Sequence, residues 1–182
     1  MSRAISNLKF RYITELTSEM IGKMNINKPC IPIEKIAKNL GVEIVETDLG
    51  NDISGMLVIN GKDAVIAINP LQSTERKRFT IAHELGHFVL HKENSNNVFV
   101  DRDFIIKYRS NKPYSELEIR QEQEANAFAA SILMPQELIM AELARNDFQA
   151  QSESDLINTL ADLFNVSVPA MTYRLVNLNV LF

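Results

Sequence analysis

The chain of 182 residues has a single cysteine, no long apolar run and no excess of basic residues. With Cys30 as the one thiol, the sequence excludes an internal disulfide, and we expect a reducing compartment. We interpret Cys30 itself as a small buried hydrophobe. The longest apolar runs, such as residues 64–68 and 127–130, are far shorter than the roughly 20 residues of a membrane-spanning helix, so we predict no membrane segment.

The overall charge is slightly negative, with 19 lysines and arginines against 23 aspartates and glutamates and a net charge of −4. An acidic chain lacks the long-range field that attracts a nucleic acid or an anionic membrane. The N-terminal residues contain no apolar stretch typical of a secretory signal. We therefore expect a cytoplasmic protein that binds neither membranes nor nucleic acids directly.

The hydrophobic pattern predicts a few strands and many helices. The predicted helices cover residues 4–24, 33–40, 75–91, 115–134, 136–145, 155–164 and 168–175. The predicted strands cover residues 42–45, 56–59 and 64–68, and Asn60-Gly61 between the last two indicates a hairpin. Residues 92–113 are polar and irregular, with one strand-like patch at 104–108. Because strands and helices do not alternate, we predict an α+β fold with a small antiparallel or mixed sheet packed on helices.

We divide the chain into a main domain, residues 1–145, and a helical extension, residues 146–182, that packs on it. The last two predicted helices have the spacing of a helix-turn-helix. The extension has one basic residue, Arg174, against four acidic residues, and this net charge of −3 argues against phosphate contacts. We therefore expect the extension to contact protein rather than DNA.

All three histidines lie within nine residues of one another, which is the most informative feature of the sequence. His83 and His87 belong to an HExxH motif in a predicted helix, so their side chains lie on one face, about 6 Å apart along the axis. Two such imidazoles can bind one zinc ion, with Glu84 beside the metal where it can act on water. Gly86 costs about 1 kcal/mol of helix propensity, which indicates a close approach to the backbone. We interpret His91 as a helix-end residue that interacts with the helix dipole.

A catalytic zinc site usually has a third protein ligand, and no histidine remains for that role. The helix predicted from residue 115 carries four glutamates: Glu116, Glu118, Glu122 and Glu124. At about 100° per residue, Glu122 lies about 60° from the centre of the apolar face, and Glu124 about 100° away on the other side. We therefore predict Glu122 as the third ligand and assign the other three to a solvated face. Asn126 lies on the same side as Glu122 and is predicted to hydrogen-bond a ligand.

Residues 122–129, followed by Leu133-Met134-Pro135, resemble the ExxAN-x-FA…LMP signature of the ImmA/IrrE family of zinc metallopeptidases. The HELGHFVLH segment and the IxxIAxxLGV pattern in residues 32–45 are similar to the same family. The resemblance extends from about residue 32 to the C-terminus. It implies a zincin-like fold for the main domain and a thermolysin-like site in which the glutamate of ExxAN, Glu122, is the third ligand.

The motif and the resemblance together predict a zinc metalloendopeptidase, with Glu84 as the base and His83, His87 and Glu122 as metal ligands. Members of this family typically cleave a cognate helix-turn-helix repressor, so the resemblance implies an anti-repressor of a mobile element or a stress regulon. The ligand types also admit manganese or iron. The alternative is a zinc-containing anti-repressor that binds its partner without hydrolysis. The intact Glu84 favours the enzyme, because a pure binder needs no base.

Overall fold

The computed structural model describes residues 5–50, 53–92, 98–102, 115–145 and 152–180. Within these residues the strands precede most of the helices, and the predicted α+β fold is confirmed. The elements are α1 (Asn7–Lys23), α2 (Ile33–Asn39), β1 (Val42–Glu46), β2 (Ile53–Asn60), β3 (Asp63–Ile68), α3 (Thr74–His91), β4 (Val98–Arg102), α4 (Glu116–Leu133), α5 (Gln136–Arg145), α6 (Glu153–Phe164) and α7 (Val168–Asn177).

The strands form one mixed sheet in the order β1-β3-β2-β4. β1 pairs with β3 in parallel, and β2 pairs with β3 antiparallel through the predicted hairpin. Asn60 pairs with Asp63, so the turn consists of Gly61 and Lys62. Gly61 takes a φ of +62°, which a glycine adopts at little cost. The hairpin fixes the register between β2 and β3, and β2 packs against the helix α3.

The edge strand β4 corrects the prediction that residues 92–113 are irregular outside one patch. It pairs antiparallel with β2 over Val98–Arg102. The run of Val98, Phe99 and Val100 favours a strand, but it is too short to stand out in the sequence, and its partner β2 supplies the hydrogen bonds that hold it. The strand-like patch predicted at 104–108 lies outside the described residues.

Helices α3 and α4 are central to the molecule and pack against each other. Ser73 caps α3 by accepting a hydrogen bond from the Arg76 N–H. Ser115 and Glu118 form a capping box at the start of α4, so both starts follow from local sequence. The α3 residues Ile81, Ala82 and Leu85 are fully or almost fully buried, together with much of α4. These two helices therefore place their inward side chains in a fixed relation.

The segment Glu116–Arg145 is long and apolar enough, by length and composition alone, to cross a membrane. Of its most apolar part, 44% is buried inside the protein. The structure divides the segment at Met134-Pro135 into α4 and α5. Core helices of soluble proteins pass the same test, so this finding is weak support for a membrane location.

The C-terminal helices α6 and α7 pack on the rest of the chain. Leu160, Phe164 and Leu175 are fully buried in the common core. Two arginines bridge the parts: Arg78 of α3 donates to the carbonyl of Asn165 at 3.1 Å, and Arg174 of α7 donates to the carbonyl of Met134 at 2.9 Å. Burial lowers the pKa of Arg174 to about 10, against the opposing charge of Glu137, so the guanidinium stays charged near neutral pH.

The prediction that Cys30 is a buried hydrophobe is wrong, because its side chain is exposed. The loop before α2 takes a φ of +63° at Cys30, and the next residue, Ile31, is fully buried instead. Of two adjacent apolar residues in a turning loop, one faces the core and the other faces solvent. The sequence pattern alone does not tell which.

Candidate metal centre

The helix α3 brings the first two predicted ligands together. The Nε2 atoms of His83 and His87 lie 3.1 Å apart, and both side chains are almost completely buried. The two rings meet edge to face, with their centroids 4.8 Å apart. Residues four apart on a helix lie on the same face, which accounts for this arrangement.

Glu122 of α4 completes a set of three donors. Its Oε2 lies 3.4 Å from Nε2 of His83, and its Oε1 lies 3.6 Å from Nε2 of His87. One donor atom from each residue falls within a group no wider than 4.8 Å. Ligands about 2.0–2.2 Å from a tetrahedral zinc ion are roughly 3.3–3.6 Å apart. The two distances from Glu122 lie in this range, and the distance between the two histidine nitrogens is slightly shorter.

The glycine in the motif allows α3 and α4 to approach each other. A Cβ atom at Gly86 would lie 3.1 Å from Cα of Ala125, 3.1 Å from Cβ of Phe128 and 3.2 Å from the Ala125 carbonyl oxygen. The close approach that the sequence predicted at Gly86 is therefore present, and the approaching segment is α4. This contact sets the distance at which Glu122 faces the two histidines.

Glu84 directly follows His83 in the sequence and is completely buried. The aliphatic part of the Glu84 side chain passes close to Gly55 of β2. A Cβ atom at Gly55 would lie 3.6 Å from Cγ of Glu84 and would overlap Cγ2 of Thr80. Sequence reasoning missed Gly55. A glycine inside a strand often marks a close backbone approach, and that signal was available in the sequence.

The predicted contact of Asn126 with a ligand is visible in the geometry. Its Oδ1 lies 3.0 Å from Nδ1 of His83. Because an amide oxygen only accepts hydrogen bonds, this contact assigns the proton of a neutral His83 to Nδ1. The lone pair then lies on Nε2, which is the atom that faces His87 and Glu122.

His91 and Glu124 correct two sequence interpretations. Nε2 of His91 lies 3.1 Å from Oε2 of Glu124, and both residues are buried. Nδ1 of His91 lies 3.2 Å from Nδ1 of His87. His91 is thus more than a helix-end residue near a dipole, and Glu124 does not lie on a solvated face. Burial lowers the pKa of His91, and the hydrogen bond to Glu124 opposes that shift.

The helix α1 explains why Glu124 is buried. It packs against α4, and Nζ of Lys9 lies 3.1 Å from Oε2 of Glu124. The sequence did not reveal that a distant helix covers the Glu124 side of α4. Lys9 is a further residue that sequence reasoning missed, because no local pattern connects it with α4.

The fold and the three converging donors can be compared with those of known protein families. The family model Peptidase_M78, described as the IrrE N-terminal-like domain, matches residues 37–176. That match covers well over half of the chain and runs from the end of α2 into α7. The chain therefore belongs to this family, and the resemblance to the ImmA/IrrE metallopeptidases is confirmed.

Two known proteins show how far the similarity extends. The radiation response metalloprotease IrrE of Deinococcus radiodurans is 37% identical over 81 residues, which are 44% of this chain and 22% of that protein. A solved structure of a Mycobacterium tuberculosis transcriptional regulator matches with a TM-score of 0.61 at 18% identity, covering 90% of this chain and 46% of the other. At that identity the structural match shows the fold alone. The chain thus corresponds to less than half the length of either relative.

Proposed function

We propose that this chain is a zinc-dependent metalloendopeptidase in which His83, His87 and Glu122 hold the metal and Glu84 is the catalytic base. The observation that carries this proposal is the convergence of the three donor atoms within 4.8 Å, together with the completely buried Glu84, which directly follows His83 on α3. Two imidazoles and one carboxylate are the donor set of known zinc peptidases. The partial match to a relative described as a metalloprotease supports the same reading.

In this proposal the metal and Glu84 have separate roles in peptide hydrolysis. A zinc ion at this site supplies Lewis-acid activation of water and of a peptide carbonyl. Glu84 accepts the proton that water loses as its oxygen adds to the carbonyl carbon, and it passes that proton to the departing amine as the C–N bond breaks. General acid–base help of this kind contributes roughly 10²–10⁴-fold to the rate. Complete burial protects the carboxylate of Glu84 from bulk water and keeps it in position.

The site is open on one side. The Glu122 side chain is 30% exposed, whereas those of His83 and His87 are 3% exposed. A substrate therefore approaches the metal position from the Glu122 side of the α3–α4 pair.

For the substrate we propose a cognate helix-turn-helix repressor, so that cleavage relieves repression in the cytoplasm. The support for this choice is the family resemblance of the motifs together with the acidic charge of the chain, which disfavours direct binding to DNA. The extension from α6 to α7 includes Asp155 and Asp162 and has Arg174 buried. It therefore offers a repressor a protein-binding surface rather than a DNA-binding one.

The test combines the purified chain with zinc and a purified repressor encoded beside it. We expect cleavage that stops with a chelator and with Glu84→Gln, while Glu84→Gln still binds zinc. Glu116→Gln is the matched control, because Glu116 is an exposed glutamate in the first turn of α4 and should leave cleavage unchanged.

The alternative function gives a different result in the same experiment. A non-hydrolytic anti-repressor would release the repressor from DNA without cutting it, and Glu84→Gln would act as well as the original chain. Loss of zinc from Glu84→Gln would contradict its assignment as a base. Metal analysis of the purified protein distinguishes zinc from manganese and iron.

A further inference from the structure

The two metal-facing imidazoles are held differently on their far sides. Nδ1 of His87 does not face Asn126 but lies 3.2 Å from Nδ1 of His91. Nε2 of His91 in turn lies 3.1 Å from Oε2 of Glu124, and that same oxygen lies 3.1 Å from Nζ of Lys9. A continuous line of polar contacts thus runs from the metal position through two imidazoles and a carboxylate to an ammonium group on α1.

Hydrogen-bond chemistry allows only one direction along this line when His87 binds a metal. A metal-binding Nε2 must carry a lone pair, so a neutral His87 has its proton on Nδ1. That proton can be donated to Nδ1 of His91 only if this atom also has a lone pair. The proton of His91 then lies on Nε2, where the carboxylate of Glu124 accepts it. Each donor on the line therefore meets an acceptor.

The opposite arrangement is incompatible with metal binding. If His91 donated from Nδ1, the Nδ1 atom of His87 would have to accept, and the proton of His87 would lie on Nε2. That proton would point at the place where His83 and Glu122 converge. The buried negative charge of Glu124 disfavours this arrangement, because a carboxylate accepts a hydrogen bond from Nε2 of His91 and cannot donate one.

We propose that His91 and Glu124 are positioning residues that fix the tautomer and the ring orientation of His87, and that Lys9 on α1 holds Glu124 in place. The proposal rests on the proposed role of His87 as a metal ligand. It assigns a task to α1, a helix that lies before the part of the chain matched by the family model.

The burial of the charges supports a role for Lys9. The side chain of Glu124 is only 9% exposed, and a buried carboxylate is costly unless a partner compensates its charge. Lys9 supplies the positive charge from a side chain that is 34% exposed. Its ammonium group is therefore partly hydrated, and its loss should cost less than the loss of either buried residue.

The first experiment measures the tautomer directly in the metal-free protein. NMR spectra of the imidazole nitrogens distinguish a protonated from an unprotonated ring nitrogen. We expect His87 to carry its proton on Nδ1 in the unmodified chain and to become a mixture of tautomers in Glu124→Leu. A proton on Nε2 of His87 in the unmodified chain would overturn the proposal, and this measurement needs no variant to fold.

The second experiment measures zinc affinity by competition with a chelator. We expect His91→Phe and Glu124→Leu to bind zinc roughly 10–100-fold more weakly, as is typical when a partner that orients a ligand is lost. Glu124→Gln keeps an acceptor oxygen for His91 and should recover part of the loss. Lys9→Met should have a smaller effect, and Lys23→Met is the matched control on α1, because Lys23 pairs only with the exposed Glu19 in the contacts described.

The two experiments separate this proposal from the proposed function. If the unmodified chain shows the expected tautomer but does not bind zinc, the metallopeptidase assignment fails, and the effect of His91 and Glu124 on the tautomer stands without a metal ligand to position. If it binds zinc and the variants at His91 and Glu124 bind equally tightly with an unchanged tautomer, the positioning proposal fails and the metal site stands. Unfolding curves of each variant confirm that the readings come from folded protein.

Discussion

His83 and His87 lie one turn apart on the same helix and offer the same atom to the same point, yet their surroundings differ. The far side of His83 meets the amide of Asn126, which is exposed to solvent. The far side of His87 meets the buried His91, which leads to Glu124. The imidazole of His83 is supported by an exposed residue, which water can replace, and the imidazole of His87 is supported in the interior, where water cannot replace the partner.

This difference has an energetic consequence. Removing one member of a buried polar network leaves its partner without a hydrogen bond, which costs about 1–3 kcal/mol. At an exposed site water replaces the lost partner at small cost. We therefore expect the metal site to be tolerant on the His83 side and sensitive on the His87 side, and the following changes test that expectation.

The largest effect is expected from Glu122→Ala, which removes a proposed ligand rather than a support. Zinc affinity should fall by more than about 100-fold, beyond the roughly 10–100-fold range for orienting partners. Thermal unfolding provides a second measurement, because a ligand present at about 100 times its Kd stabilises the folded state by about 2.7 kcal/mol. That stabilisation should disappear in Glu122→Ala and persist in Glu116→Ala. Equal zinc affinities of Glu122→Ala and Glu116→Ala would show that Glu122 is not a ligand. The two histidines could then not be compared as members of one three-donor site.

A smaller effect is expected from Asn126→Ala on the tolerant side. Water can accept the hydrogen bond from Nδ1 of His83, so zinc affinity should fall by no more than about 10-fold, at the low end of the usual range for such partners. The chelator competition that measures His91→Phe gives the direct comparison. If Asn126→Ala weakens binding more than His91→Phe does, the contrast between the two sides is wrong.

The smallest effect is expected in folding stability from paired glycine substitutions. Gly22→Ala in α1 meets nothing within 4 Å and should stabilise the protein by up to about 1 kcal/mol through helix propensity. Gly86→Ala gains the same propensity but pushes on the α4 backbone, and such overpacking costs about 1–3 kcal/mol. Urea unfolding should therefore place Gly86→Ala below Gly22→Ala in stability. Asn126 and Glu124 both lie on α4, which contacts α3 at Gly86. Zinc affinity measured in the two glycine variants therefore also shows whether the supports of His83 and His87 both depend on that contact.

Sequence reasoning identified the three converging donors and Asn126, but not the buried residues on the far side of His87. The four-residue spacing of His83 and His87 and the angle of Glu122 on its helix are local properties, and local periodicity predicts them well. The cost of Gly86 in a helix correctly indicated a close neighbour. These predictions required only the geometry of one helix at a time.

The errors arose where two distant segments meet. Periodicity identifies the apolar face of α4 but not the helix that covers its flank, so Glu124 was assigned to solvent although Lys9 and α1 enclose it. His91 was misjudged for the same reason, since its partner comes from another helix. The strand β4 depends on hydrogen bonds from β2, and its own residues carry only a short apolar signal.

The bridge between Arg78 and Asn165 means that the last two helices cannot be treated as a detachable tail. Arg78 lies on α3, less than two turns before His83, and its guanidinium also donates to the carbonyl of Ile31 at 2.9 Å. Truncation of the chain after α5 would take one of its two acceptors away and uncover the apolar side chains that α6 and α7 enclose. A shortened chain that keeps the surroundings of α3 intact therefore has to include the terminal helical pair.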